Sequence, residues 1–281
     1  MGVQETKQGV RKFYDQIGWQ KVSAGAYQIA QYEDLRPVSR RYIQNCHLRV
    51  NRHLKLAGKY LLDAGSGPIQ YPEYLTYSKE YQYRVCLDIS IIALKEARNR
   101  IRNSHGLFVV ADVANLPFKD ETFDGVVSLH TLHHLTVSDY VPAYENLKCV
   151  LKKNRTAVIV NGWGESMLMR WFNKPILIME KLFSKLIPSS KRKKKYTGVI
   201  SKKPKSTFVQ KLNAQRLRDL LGTDFPISKS VWRSVSVRFL HAMIHPFLFS
   251  RIWLRILLGL EELFPAFFSE KDQYPLITFT K

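Results

Sequence analysis

Acidic residues are what this chain lacks most. Only 23 aspartates and glutamates stand against 44 lysines and arginines, giving a formal net charge of +21 over 281 residues. That excess predicts attraction to polyanions: nucleic acid, an anionic membrane surface or an anionic substrate. Between Glu180 and Asp219 there is no acid at all, while thirteen lysines and arginines fall there, including Lys191-Arg192-Lys193-Lys194-Lys195. Such a block repels itself and predicts a loop. Cysteine is scarce too. Cys46, Cys86 and Cys149 are odd in number and far apart, which excludes a disulfide framework and predicts reduced thiols in a cytoplasmic protein. No run reaches the ~20 uncharged apolar residues that a spanning helix needs. The polar first residues predict no signal peptide. Met1-Gly2-Val3-Gln4-Glu5-Thr6 fits the short myristoylation pattern, whose few fixed positions carry no weight alone.

Hydrophobic residues make up 45% of the chain and aromatics 12%, enough for a sizeable core. Residues 1–55 read as a helical cap with Phe13, Tyr14, Trp19, Tyr27, Tyr32 and Tyr42 as aromatic punctuation. Glu33-Asp34-Leu35-Arg36-Pro37 breaks it, because the residue before a proline is pushed out of the helical region. From residue 56 to 161, apolar runs at 60–64, 83–89, 106–111, 123–129 and 155–161 alternate with amphipathic stretches. The clearest of these sets Ile92, Leu94, Ala97 and Ile101 against Lys95, Glu96, Arg98, Arg100 and Arg102. That alternation predicts βαβ units, a parallel sheet and a ligand crevice at the carboxyl ends of the strands.

Residues 162–207 read as an amphipathic helix over 167–187, kinked near Pro175, followed by the basic loop at 189–205. Residues 208–281 complete the sheet. A helix over 213–221 stops at Gly222, strands are expected at 231–239 and 275–280, and an apolar helical insertion lies near 240–270. In its stretch 247–268 the polar stripe Arg251, Arg255, Gly259 and Glu262 is so narrow that the helix must be covered nearly all round. Membrane, lid or a second subunit would each cover it.

The chemistry centres on Leu61-Leu62-Asp63-Ala64-Gly65-Ser66-Gly67-Pro68, a buried strand breaking into a tight turn. Gly65 and Gly67 permit the sharp bend and let a ligand approach backbone N–H groups. Asp88 ends the next strand 21 residues beyond Gly67, where it can accept from a cofactor ribose or cap the helix that starts near Ser90. Asp112-Val113 follows the third strand, and Ser128-Leu129-His130-Thr131-Leu132-His133-His134 follows the fourth. His130 and His134 are spaced for a helical metal pair, but no carboxylate or cysteine stands near, and no metal site is predicted.

Together LLDAGSGP, CLDIS, ADVANLPF and FDGVVSLHTLHHL resemble the class I S-adenosylmethionine-dependent methyltransferases, the broad small-molecule group, across roughly residues 56–161. The resemblance implies an α/β, Rossmann-like, doubly wound sheet of seven strands, mostly parallel with the last antiparallel, carrying the helical cap and helical insertions. It implies a cofactor, S-adenosyl-L-methionine, bound by the turn Asp63, Ala64, Gly65, Ser66 and Gly67, with Asp63, Gly65 and Gly67 at its methionine part. Asp88 would take the ribose hydroxyls with Ile89 against adenine, and Asp112 and Val113 would flank the adenine edge. Ser128 and His130 would contact the cofactor in the segment that lines the transfer site. His133 and His134 are candidate bases, and Tyr14 is a candidate lid or catalytic residue. The chain departs from the pattern in lacking the third glycine, having Pro68-Ile69-Gln70, which loosens the expected cradle. Lys152-Lys153-Asn154-Arg155 replaces the usual Lys-Pro-Gly-Gly.

The acceptor is less legible. Apolar helices beside a basic block suit a hydrophobic or lipid-linked small molecule at an anionic membrane surface, on a cytoplasmic, peripheral enzyme. An RNA methyltransferase using 189–205 is the alternative, although no aromatic interrupts 189–195. A non-catalytic cofactor-binding or interaction protein on the same fold is the other.

Overall fold

The computed structural model describes residues 2–21, 27–54, 57–101, 105–164, 166–186, 207–210, 212–246 and 249–281. The expected basic loop at 189–205 lies outside them.

Seven strands form one sheet in the order β3-β2-β1-β4-β5-β7-β6. They are β1 Gly58–Ala64, β2 Tyr81–Asp88, β3 Gly106–Val110, β4 Gly125–Leu129, β5 Thr156–Val160, β6 Ile227–Arg233 and β7 Tyr274–Thr280. The first five pair in parallel, and β7 runs antiparallel between β5 and β6. The order reverses between β1 and β4, which opens a crevice at their carboxyl ends. Helices cover both faces. Against the sheet pack α3 (Ile91–Ile101), α4 (Val137–Val150) and α7 (Ala214–Leu221), each burying one apolar stripe. In α3 the buried stripe is Ala93, Leu94, Ala97 and Ile101; Ile92, expected inside, is exposed. Asn213 caps α7 by accepting from the Arg216 N–H, and Gly222 ends it at φ 77°.

The cap comprises α1 (Val3–Phe13), a π turn over Tyr14–Gly18, a short 3-10 turn and α2 (Arg40–Leu48). The break before α2 is held by Asp34, which accepts from the Arg36 side chain and from Ser39 Oγ.

Three boundaries differ from the sequence reading. The helix expected over 167–187 is two, α5 (Met167–Trp171) and α6 (Asn173–Leu186), parted at Phe172 rather than kinked at Pro175. Proline is tolerated in the first turn of α6, where its missing N–H has no intrahelical role. The strand expected over 231–239 ends at Arg233, because Ser236 caps a new helix, α8 (Val237–Met243), by accepting from the Phe239 N–H. The apolar stretch 247–268 is also divided, into α9 (Ser250–Leu263) and α10 (Pro265–Lys271), with Pro265 starting the second. Nor is it covered all round by the described residues. Leu254 and Phe268 are buried, but Phe249, Trp253 and Leu263 are 76%, 61% and 73% exposed.

Candidate functional site

The site grows from three strand ends. The carboxyl-terminal halves of β1 and β2 are buried, as is β4 up to Leu129, and they deliver Asp63, Asp88 and Leu129 to one edge of the sheet. There a cavity of about 560 Å³ opens, roofed by the cap. That is a volume typical of cofactor and small-ligand sites.

After β1 the chain turns with Gly65 at φ 77° and Gly67 at φ 54°. The glycines make room for side chains of this protein. A Cβ on Gly65 would stand 2.1 Å from Thr131 Oγ1, and one on Gly67 would stand 3.0 Å from the Trp19 ring. The N–H groups of this turn are also engaged. Those of Gly65 and Ser66 donate to the Leu87 carbonyl (2.7 and 3.0 Å), and that of Gly67 donates to Asp88 Oδ2 (2.9 Å). Their service to the site is therefore to fix Asp88. Where the third glycine is missing, Ile69 itself takes the left-handed conformation (φ 54°) and buries its side chain in the core beneath the turn. The turn is thus kept rather than loosened, with strain at a β-branched residue.

Asp88 lies on the cavity wall and accepts from the backbone N–H groups of Ser90 (2.8 Å) and Gly67. Burial raises its pKa to about 6 even though both N–H groups favour the charged form. The cap of α3 is Ser90, whose Oγ accepts from the Ala93 N–H, so Asp88 is not spent as the helix cap. Asp63, at the cavity floor, is paired with Arg84: Nε and Nη2 reach Oδ2 at 3.0 and 2.5 Å, and Nη1 donates to the Tyr74 carbonyl. Both side chains are buried. Burial pushes the Asp63 carboxyl above its ordinary range against the pull of Arg84. Arg84 escaped the sequence reading because it sits inside an apolar strand; an arginine there, on the strand beside a buried aspartate, is the signal that could have found it.

Ile89, Asp112 and Val113 also line the cavity. Asp112 pairs with Lys7 of α1 at 2.6 Å, and Lys7 reaches Asp139 at 3.1 Å, which latches the cap to the sheet. Ala64 and Ser128 are placed differently from expectation. Both are fully buried, neither lines the cavity, and the Ser128 hydroxyl donates to the Ala64 carbonyl at 2.8 Å. They brace β1 against β4.

His130, His133 and His134 gather at the opposite wall. The His134 Nδ1 faces the Phe208 carbonyl at 2.6 Å and must carry a hydrogen, so Nε2 accepts from the Tyr14 hydroxyl at 2.7 Å. Burial lowers the pKa of His134 to about 4 and of His130 to about 3, the latter helped by Arg233. His133 is lowered as well, chiefly by burial, so all three rings are neutral at pH 7. Burial raises the Tyr14 phenol well above its ordinary value, with Asp88 adding to the effect. Tyr14 stacks on Trp19 (4.9 Å between centroids). Among the described residues no group of three or more His, Cys, Asp and Glu could hold a metal ion.

The sequence reading missed a second buried ion pair here. Arg233, at the end of β6, pairs with Glu33 of the cap and stacks over the Tyr274 ring at 4.4 Å. Burial alone would raise Glu33, but Arg233 and His47 hold it at about 2. Tyr71, Tyr74, Trp163 and Gln273 complete this end.

The residues present suit S-adenosylmethionine: an acid at the β2 end, apolar Ile89 and Val113 beside it, and a glycine turn that aims that acid at the cavity. Residues 62–159 match the family model described as a methyltransferase domain. An uncharacterized protein of Methanocaldococcus jannaschii is 28% identical over 124 residues, 44% of this chain and 45% of that protein. Phthiotriol/phenolphthiotriol dimycocerosates methyltransferase 1 of Mycobacterium ulcerans is 34% identical over 90 residues, 32% of this chain and 33% of that protein. The alignments thus span less than half the length of these curated relatives. Among solved structures, the [4+2]-cyclase SpnF shares the fold with a TM-score of 0.52 and 14% identity, covering 98% of this chain and 93% of that one. Turn, strand-end acids, sheet order and family match agree: residues 62–159 are a class I, S-adenosylmethionine-dependent methyltransferase domain.

Proposed function

We propose that this protein transfers a methyl group from S-adenosylmethionine to a small hydrophobic or lipid-linked acceptor at a membrane surface. The observation that carries the reading is the shape of one cavity. It has Asp88 at one wall, neutral histidines and tyrosines at the other, and a roof made by Val10, Phe13, Tyr14 and Trp19. The name of the mycobacterial relative, a methyltransferase of phthiotriol and phenolphthiotriol dimycocerosates, supports an apolar acceptor.

The bound cofactor would supply an electrophilic methyl on a sulfonium, a leaving group that needs no covalent help from protein. The chain's own part is alignment, exclusion of water and disposal of one proton. Asp88 and Ile89 would hold the ribose and adenine, with Val113 beside them. Asp63, held by Arg84, would anchor the methionine end. The Tyr14–Trp19 stack closes the cavity over the glycine turn. An acceptor hydroxyl hydrogen-bonded to Tyr14 would pass its proton to the phenol oxygen as Tyr14 releases its own to His134 Nε2. A pKa near 4 makes His134 a weak base, so this relay serves a nucleophile that loses its proton as the methyl bond forms.

Two measurements test the reading. Calorimetry should show S-adenosylmethionine binding; no heat and no competition by the demethylated product would end it. Radiolabelled methyl from the cofactor should enter a detergent-solubilised lipid extract and not RNA, and label in RNA alone would replace it with the RNA reading.

A further inference from the structure

We infer that the outward face of α9 and α10 docks flat on an anionic lipid bilayer. The inference deepens the reading above and rests on it for the purpose of docking, but it stands on separate observations. Ile252, Trp253, Ile256, Leu260 and Leu263 are all exposed. At 100° per residue they fall within an arc of about 100°, one continuous apolar stripe. Phe264 and Phe267 carry it onto α10, where Phe267 meets Trp171 of α5 at 6.5 Å. A stripe of large aliphatic and aromatic side chains of this length is not ordinary protein surface.

Charge selects the occupant. The two acids of α9 are both consumed by the protein. Glu261 is buried, accepting from Tyr42 and from the Ser234 N–H and facing Arg49; Glu262 accepts from Arg49 and Arg52. Arg251 and Arg255 remain exposed beside the stripe. Lys271 lies over the Phe267 and Trp171 rings at 4.2 and 5.3 Å. On the flanking α6, exposed Ile178 and Leu182 accompany exposed Lys174 and Lys181, while Glu180 is taken up by Arg238. Glu262 and, on α10, Glu270 are exposed but paired, Glu262 with Arg49 and Arg52 and Glu270 with Lys229 and Arg218. The outward surface is therefore apolar with a border in which cations outnumber acids, in a chain of net charge +21, which is the complement of an anionic headgroup layer over acyl chains. With 14 residues α9 is about 21 Å long. That is too short to cross, and no helix among the described residues is long and apolar enough to do so. It lies in the interface. Its buried side is fixed through Glu261 to Ser234, next to the cavity residue Arg233, which ties the docking helix to the cavity wall.

Flotation of the full chain with vesicles of phosphatidylcholine, with and without phosphatidylglycerol, tests this. Binding is expected to the mixed vesicles and to be much weaker to the neutral ones. W253S/I256S should lower binding to mixed vesicles at least tenfold. R251Q/R255Q should lower it about thirtyfold, at about one factor of five per basic residue. Calorimetry with S-adenosylmethionine should be unchanged in both, which shows that they fold and keeps the two readings separate. Failure of the parent to float while it binds cofactor overturns the docking face alone, whereas absence of cofactor binding overturns the methyl-transfer reading alone. Equal flotation of the variants overturns the docking face, as does a dimer in sedimentation velocity that W253S/I256S converts to monomer.

Discussion

Replacing Arg84 by methionine isolates the feature on which the cofactor turn depends most. The guanidinium is fully buried, bridges Asp63 Oδ2 with two N–H groups and gives a third to the Tyr74 carbonyl. Methionine keeps the chain volume but leaves the Asp63 carboxylate buried and unpaired, a change that costs about 3–5 kcal/mol. For a chain of this size that corresponds to a fall of roughly 6–20 °C in melting temperature. The pH dependence gives a second handle. Burial already raises Asp63 while Arg84 opposes it, so removing Arg84 lifts the folded-state pKa further. A carboxyl raised in the fold destabilises it above that pKa and ceases to do so as the group protonates. The deficit of the variant relative to the parent should therefore shrink as pH falls. The double variant Asp63→Leu/Arg84→Met removes both charges and should recover most of the loss, short of about 1 kcal/mol for the orphaned Tyr74 carbonyl. Chemical denaturation at two pH values checks all three statements. A single variant within about 1 kcal/mol of the parent, or a double variant as unstable as the single, would refute the claim that an uncompensated buried charge governs this site.

Other substitutions give separate readings. Asp88→Ala should raise the dissociation constant for S-adenosylmethionine at least about thirtyfold by removing a charged acceptor; in the parent, affinity should fall as pH drops through about 6, where Asp88 takes a proton, and a flat calorimetric profile would contradict this. Tyr14→Phe breaks the bond to His134 and should lower turnover about a hundredfold, with cofactor affinity changed only a few-fold, in a radiolabel transfer assay. Ile69→Gly relieves a left-handed β-branched residue worth about 1–3 kcal/mol but forfeits a similar amount of burial, whereas Ile69→Ala forfeits burial and keeps the strain. The alanine variant should therefore be the less stable of the two in urea titration, reversing the usual order.

The sheet was readable because its central strands are buried on both faces and write continuous apolar runs, broken at the glycine turn and at acids that end β2 and follow β3. Those acids and that turn were enough to name fold and cofactor. Boundaries were harder where one local signal competed with another. Ser236 starts α8 inside a stretch that reads as a strand, and Pro265 divides a stretch that reads as one helix. The roles of Asp63, Ser128 and the glycines were only partly legible, since each depends on a neighbour distant in the chain.

By itself, then, the sequence determined the doubly wound core, its crevice and the placement of Asp63, Asp88 and Asp112 on it, because hydrophobic period and turn chemistry are local. The tertiary structure alone decided what those groups face. Arg84 against Asp63 is 21 residues away in sequence, Tyr14 against His134 is 120, and Arg233 against Glu33 is 200. It alone decided, too, that the apolar helix α9 turns Glu261 inward and its stripe outward. Pairings at such separation follow from which faces the packed core leaves over, and no local pattern encodes that remainder.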